Sequence, residues 1–175
     1  MHWFNMAKVT NLKKGERGIG FVELIIVVAL AGMVGAAITA AAFQTLTFTT
    51  RLSNQMTAIR QVQQAGFWVS PDVMMAQEVS RGQSAGFPLI LSWTDPVTND
   101  VHEVTYVVTF ERRLQRTHKI TPQQGQSTTE VSVVAEYISS ASFVLSGSAY
   151  ILTVTATVGD QAETRTYQVQ PRVGT

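Results

Sequence analysis

Residues 24–50 carry no charged side chain, and residues 24–43 are almost wholly apolar. As a helix, those 20 residues are about 30 Å long, the thickness of one hydrocarbon core. A single carboxylate, Glu23, stands at the front of the run, in RGIGFVELIIVVALAGMVGAA. An ionisable residue in such a segment is rare and costs free energy in lipid, so it usually has a partner or a function. Two readings of Glu23 follow. It either marks the edge of the span and reaches back to water about 6 Å away, or it is a charge kept for a purpose.

The residues in front of the run bear on that choice. KKGERG places Lys13, Lys14 and Arg17 against Glu16, and such a cationic flank holds the N-terminus in the cytoplasm while the rest crosses. Residues 1–18 hold four bases and one acid, and the remainder nine bases and eleven acids. The formal +1 of the chain is therefore a property of its leader, and the exported part is mildly acidic. The pI near 8.1 is not a nucleic-acid footprint, and nucleic acid is not an expected partner.

A short basic leader ending in Gly18, four residues, then Glu23 and about twenty apolar residues resembles the class III signal of type IV pilins and type II secretion pseudopilins. The likeness covers residues 13–45, with Gly32 at a position commonly small in the family. Two departures stand out. Ile19 and Gly20 precede Phe21, where the family usually has Phe first, and Ala40 stands near the place of a common proline. The resemblance implies that prepilin peptidase, a membrane aspartyl enzyme, cuts after Gly18 and methylates the amine of Ile19. It also implies that the Glu23 carboxylate pairs with the N-terminal ammonium of a neighbouring pilin or pseudopilin subunit. A buried pair of that kind is best suited to setting register between subunits. The expected function is that of a structural subunit of a pilus-like or pseudopilus filament. Membrane lipid holds it in the inner membrane, with the C-terminal domain outside, and an assembly platform with its ATPase extracts it. Three other readings compete. Ala40, Ala41 and Ala42 could end an ordinary secretory signal, although the apolar stretch is too long for one. The span could be an uncleaved anchor. The chain could also be a non-polymerising, membrane-anchored binding module.

Beyond the span no Gly or Pro interrupts residues 36–65, so the helix is expected to continue. Leu52, Met56, Ile59 and Val62 form an amphipathic stripe expected to face a sheet. Gly66 marks an expected bend or stop. Ser70, Pro71 and Asp72 read as the cap and first turn of a second short helix, continued by residues 73–79. The size of the chain and that extra helix together lean toward a minor, tip-associated subunit. Met56, Met74 and Met75 read as core packing.

After Gly82 the composition turns to β. Residues 87–93, 101–110, 114–120, 130–137, 142–145, 150–158 and 164–169 are runs rich in Val, Ile, Thr and aromatics. In ILTVTATV, Ile151, Thr153, Thr155 and Thr157 oppose Leu152, Val154, Ala156 and Val158, one polar face and one apolar. The expected fold is α+β: a long N-terminal helix, membrane-spanning in its first half, packed on a C-terminal antiparallel β-sheet. The expected divisions are a leader at 1–18, a span at 19–44, an amphipathic helical continuation at 45–82 and a β domain at 83–175.

Catalytic constellations are poorly supplied, and an enzyme is not expected. His102 and His118 each read as a surface or edge-strand histidine without a ligand partner at a recognised spacing. No serine lies in a nucleophile elbow, and no nucleotide-binding or cofactor motif is present. Arg112, Arg113, Arg116, His118 and Lys119 read as a solvated turn that blunts a sheet edge. Asp95, Asn99 and Asp100 read as turn formers rather than cation ligands. There is no cysteine, so the β domain is expected to hold by packing alone.

Overall fold

The computed structural model describes residues 20–171; the expected cleavage position, Gly18, and the expected new N-terminus, Ile19, lie outside them. Residues Phe21–Met75 form one helix, α1, apolar along its first half and mixed in composition from Arg51 onward. It opens where the N–H groups of Glu23 and Leu24 donate to the carbonyl of Gly20, at 2.9 and 3.1 Å. Glu23 sits in the first turn, where the helix dipole favours a negative charge. Eight antiparallel strands follow: β1 (Glu78–Gly82), β2 (Gly86–Thr94), β3 (Val101–Val108), β4 (Leu114–Thr121), β5 (Thr128–Ala135), β6 (Ile138–Ser146), β7 (Ala149–Val158) and β8 (Gln161–Val169). The architecture is α+β, with two meanders where one sheet was expected: β1-β2-β3-β4-β5 and β6-β7-β8.

The chain divides into two compact units, Met1–Leu46 and Thr47–Thr175. In the second unit, Ala58, Val62, Ala65, Val69 and Val73 of α1 join a core with Leu89, Leu91, Val104, Tyr106, Leu114, Phe143, Leu152 and Val154. The alternation read in β7 is realised, with Leu152, Val154 and Ala156 buried. Thr153 and Thr155 on the other face meet Thr166 and Thr164 across the β7–β8 pair, at 3.3 and 2.9 Å between hydroxyl oxygens. The two sheets are joined by main-chain bonds: Phe143 N–H donates to Ala85 O, and Ile138 N–H to Arg112 O, both at 2.8 Å.

Four expectations are corrected. Gly66 neither bends nor stops the helix; a Cβ there would run into the ring of Tyr167, so the glycine admits a close approach of α1 to β8. The Tyr167 hydroxyl completes that contact by donating to the carbonyl of Val62 at 2.9 Å. The second helix at Ser70 does not exist. Pro71 lies inside the last turns of α1, and residues 78–82 pair with β2 as strand β1. Of the two grounds for expecting a minor subunit, chain size and this extra helix, the second is removed. The buried stripe of α1 keeps Val62, and half-buries Ile59, as expected, but otherwise runs through Ala58, Ala65, Val69 and Val73. Ala58, Ala65 and Gly66 let the helix sit close to the sheet, while Leu52 and Met56 remain 44% and 54% exposed. Met74 and Met75 are exposed as well, so none of the three methionines belongs to the core.

Candidate functional site

Every residue from Phe21 to Thr50 is exposed, including Leu24, Ile25, Ile26, Leu30, Met33, Val34 and Ile38. This is the longest and most apolar segment of the chain, and none of it is buried within the molecule. Soluble monomers rarely leave so large a contiguous apolar surface uncovered, so lipid or other protein must cover it. Its polar groups are disposed accordingly. The hydroxyl of Thr39 donates to Gly35 O and that of Thr45 to Ala41 O, each at 2.9 Å, one helical turn back. Both hydroxyls are satisfied without water. Gly32 and Gly35 have open space where a side chain would stand. One helix here is long and apolar enough to cross a membrane, which is compatible with anchoring.

Glu23 is the acidic residue of the first turn of this segment, and it is exposed. Its carboxylate has no hydrogen bond or ion pair among the described residues. A carboxylate at this place can accept hydrogen bonds from, or pair with, a cation supplied from outside the segment.

The second unit gathers charged residues that the sequence left apart. Asp72, read as part of a cap, is 4% exposed and accepts from Arg116 Nε at 2.8 Å and Arg116 Nη2 at 3.2 Å. It also accepts from the Tyr106 hydroxyl at 2.5 Å. Arg116, at 9% exposure, is not part of a solvated turn; its guanidinium also lies 5.4 Å from the ring centre of Trp68. Burial works against the charge on Arg116, but the hydrogen bonds and charge of Asp72, and then Tyr106, outweigh it and raise its pKa above the ordinary value. Burial, followed by the Asp72 charge and hydrogen bond, pushes the Tyr106 phenol well above its usual range. The three side chains thus fasten α1 to β3 and β4. They form a structural tie, closed to substrate.

The other arginines of the cluster are also engaged. Arg112, in the left-handed conformation at the β3–β4 turn, donates through Nη2 to Tyr137 O and Thr157 O, at 3.2 and 2.7 Å. Arg113 pairs with Glu111 and Glu136. In the β2–β3 loop, Asp95 Oδ1 accepts from the N–H groups of Val97 and Thr98, at 2.7 and 3.1 Å, and those bonds hold its carboxyl below the ordinary pKa. The loop is a turn, as its composition indicated. Among the described residues no three His, Asp or Glu side chains gather to hold a metal ion. His102 and His118, read separately, face each other with Nδ1 and Nε2 3.0 Å apart. A shallow open groove between α1 and β8, lined by Ser70, Met74 and residues 166–170, has no convergent polar groups beyond these.

No protein-family model matches the chain, and no curated protein matches it.

Proposed function

We propose that the chain is a structural subunit of a pilus-like or type II secretion pseudopilus filament. It is stored in the inner membrane by the first half of α1 and assembled through that same half. The observation that carries this reading is an apolar first half of α1 that no described residue covers, whose first turn holds one carboxylate without a partner among the described residues, five residues beyond Gly18. Lipid covers such a surface before assembly, and the helices of neighbouring subunits cover it afterwards. An unpaired carboxylate is costly in the second environment, so it requires a cation there. The amine of Ile19, freed and methylated by prepilin peptidase, is the cation the leader offers. The Glu23–amine pair then sets the stagger between subunits, while the β domain lies outward and an ATP-driven platform supplies the work of extraction.

The test joins two measurements on cells that carry the assembly machinery. N-terminal sequencing of the mature protein should begin at Ile19, and Glu23→Ala should yield processed, membrane-held protein that fails to enter filaments. A mature N-terminus at any other residue removes the amine from the pair. Unchanged function of Glu23→Ala would instead favour a monomeric, membrane-anchored binding module.

A further inference from the structure

At one corner of the five-stranded sheet, Trp93, His102 and His118 stand on the face that also carries the buried Leu91, Val104 and Arg116. Register explains the meeting. Trp93 is directly opposite His102 in the β2–β3 pair, and His118 is opposite Val104 in the β3–β4 pair, so the two histidines are diagonal neighbours. The Trp93 and His102 rings are parallel within 2°, with centres 5.1 Å apart.

The geometry of the histidine pair limits its chemistry. The ring centres are 5.2 Å apart and the facing nitrogens 3.0 Å apart, so the nitrogens lie close to the line between the rings. Each nitrogen's in-plane axis is therefore aimed at the other, as in an N–H···N hydrogen bond, rather than converging on a third point as two ligands of one cation do. In the neutral pair one ring donates and the other accepts. A first added proton goes to the far nitrogen of the donating ring, and the bond survives, now charge-assisted. A second proton has only the accepting nitrogen to occupy. It sets N–H against N–H and places two cations 5.2 Å apart.

We propose that His102 and His118 form a proton-operated latch, which closes this corner of the sheet across β3 and β4 in neutral solution and opens when the second proton is taken up. The surrounding charges have been weighed from each element that packs there. Arg116 lies two residues from His118 on the same strand face, and Glu130 is opposite His118 on β5. Asp72 of α1 is held by Arg116 and Tyr106, and Asp95 beside His102 is held by its own turn. Burial, then Arg116, then His102 depress the His118 pKa below its ordinary 6.5, against the opposite pull of Asp72 and Glu130. A histidine whose folded pKa is depressed contributes stability that is complete above the unfolded value and is lost as pH falls below it. The pair's contribution to stability is thus complete near neutrality and begins to fall as pH drops below 6.5, the ordinary value, while the latch itself opens lower still, where the folded pair takes its second proton.

The experiment uses the full chain in detergent micelles, with melting followed by near-ultraviolet circular dichroism between pH 7.5 and 5.0 and histidine ring titrations followed by NMR. The wild-type melting midpoint should fall by at least about 3 °C over that range. In His102→Gln, which keeps a hydrogen-bonding group but no titrating ring, the fall should shrink by half or more and the His118 titration midpoint should move upward. His118→Gln serves as the second variant, with the same flattening of the melting profile. Equal pH dependence of melting in wild type and variants, or a His118 midpoint unmoved by His102→Gln, would overturn the latch.

Discussion

Asp72 and Gly66 show how far a residue's role depends on what it meets. Asp72 follows Ser70 and Pro71 and has the local signature of a helix start, yet its carboxylate is almost fully enclosed by Arg116 and Tyr106. Removing one member of a buried pair strands the other charge, at a cost of about 3–5 kcal/mol. Asp72→Ala should therefore lower unfolding stability by that amount in urea titration, whereas replacing Asp72, Arg116 and Tyr106 together with Leu, Met and Phe should recover most of it, since no buried polar group is then left without its partner. Gly66 has the composition of a hinge, but its missing side chain is where the Tyr167 ring stands. Gly66→Ala gains helix propensity and still should destabilise by about 1–3 kcal/mol, because ring and backbone must separate. Thermal melting of Gly66→Ala beside the double variant with Tyr167→Ala would show whether the ring is the cause.

Among the elements, α1 was legible in extent as far as residue 65 and not beyond, because Gly66 and Pro71 read as a break that the helix does not have. Its continuity across residues 36–65 follows from the absence of Gly and Pro there. Its buried face does not follow from hydrophobicity, since small residues, not the largest apolar ones, face the sheet. Val62→Ala should cost about 2 kcal/mol, while Leu52→Gln and Met56→Gln should change stability by less than about 0.5 kcal/mol. Reversed magnitudes in denaturant titrations would place the other face against the sheet. Seven strand patterns were readable because β-branched and aromatic runs alternate between turn formers. Strand β1 was not. EVSRG is short, has one apolar residue, and becomes a strand only because the main chain of β2 is there to pair with it.

At the scale of the whole molecule, the two units have opposite needs. Residues 47–175 carry the core, both sheets and the Asp72–Arg116 tie, so this unit should fold by itself. A fragment of residues 47–175 should be soluble and monomeric by sedimentation and should melt cooperatively, while the full chain should require detergent or lipid. Aggregation of the fragment without a cooperative transition would mean that the apolar half of α1 contributes to folding as well as to anchoring. The apolar span, its one carboxylate, the α+β order of elements and the two faces of β7 were legible in the order of the amino acids. Each of these is written in local composition or in a period of a few residues. Only the tertiary structure decided the face of α1 that is buried, the tie between Asp72 and Arg116 and the meeting of His102 with His118. Those pairs lie 44 and 16 residues apart, and their contact depends on strand register and on how closely a helix can approach a sheet.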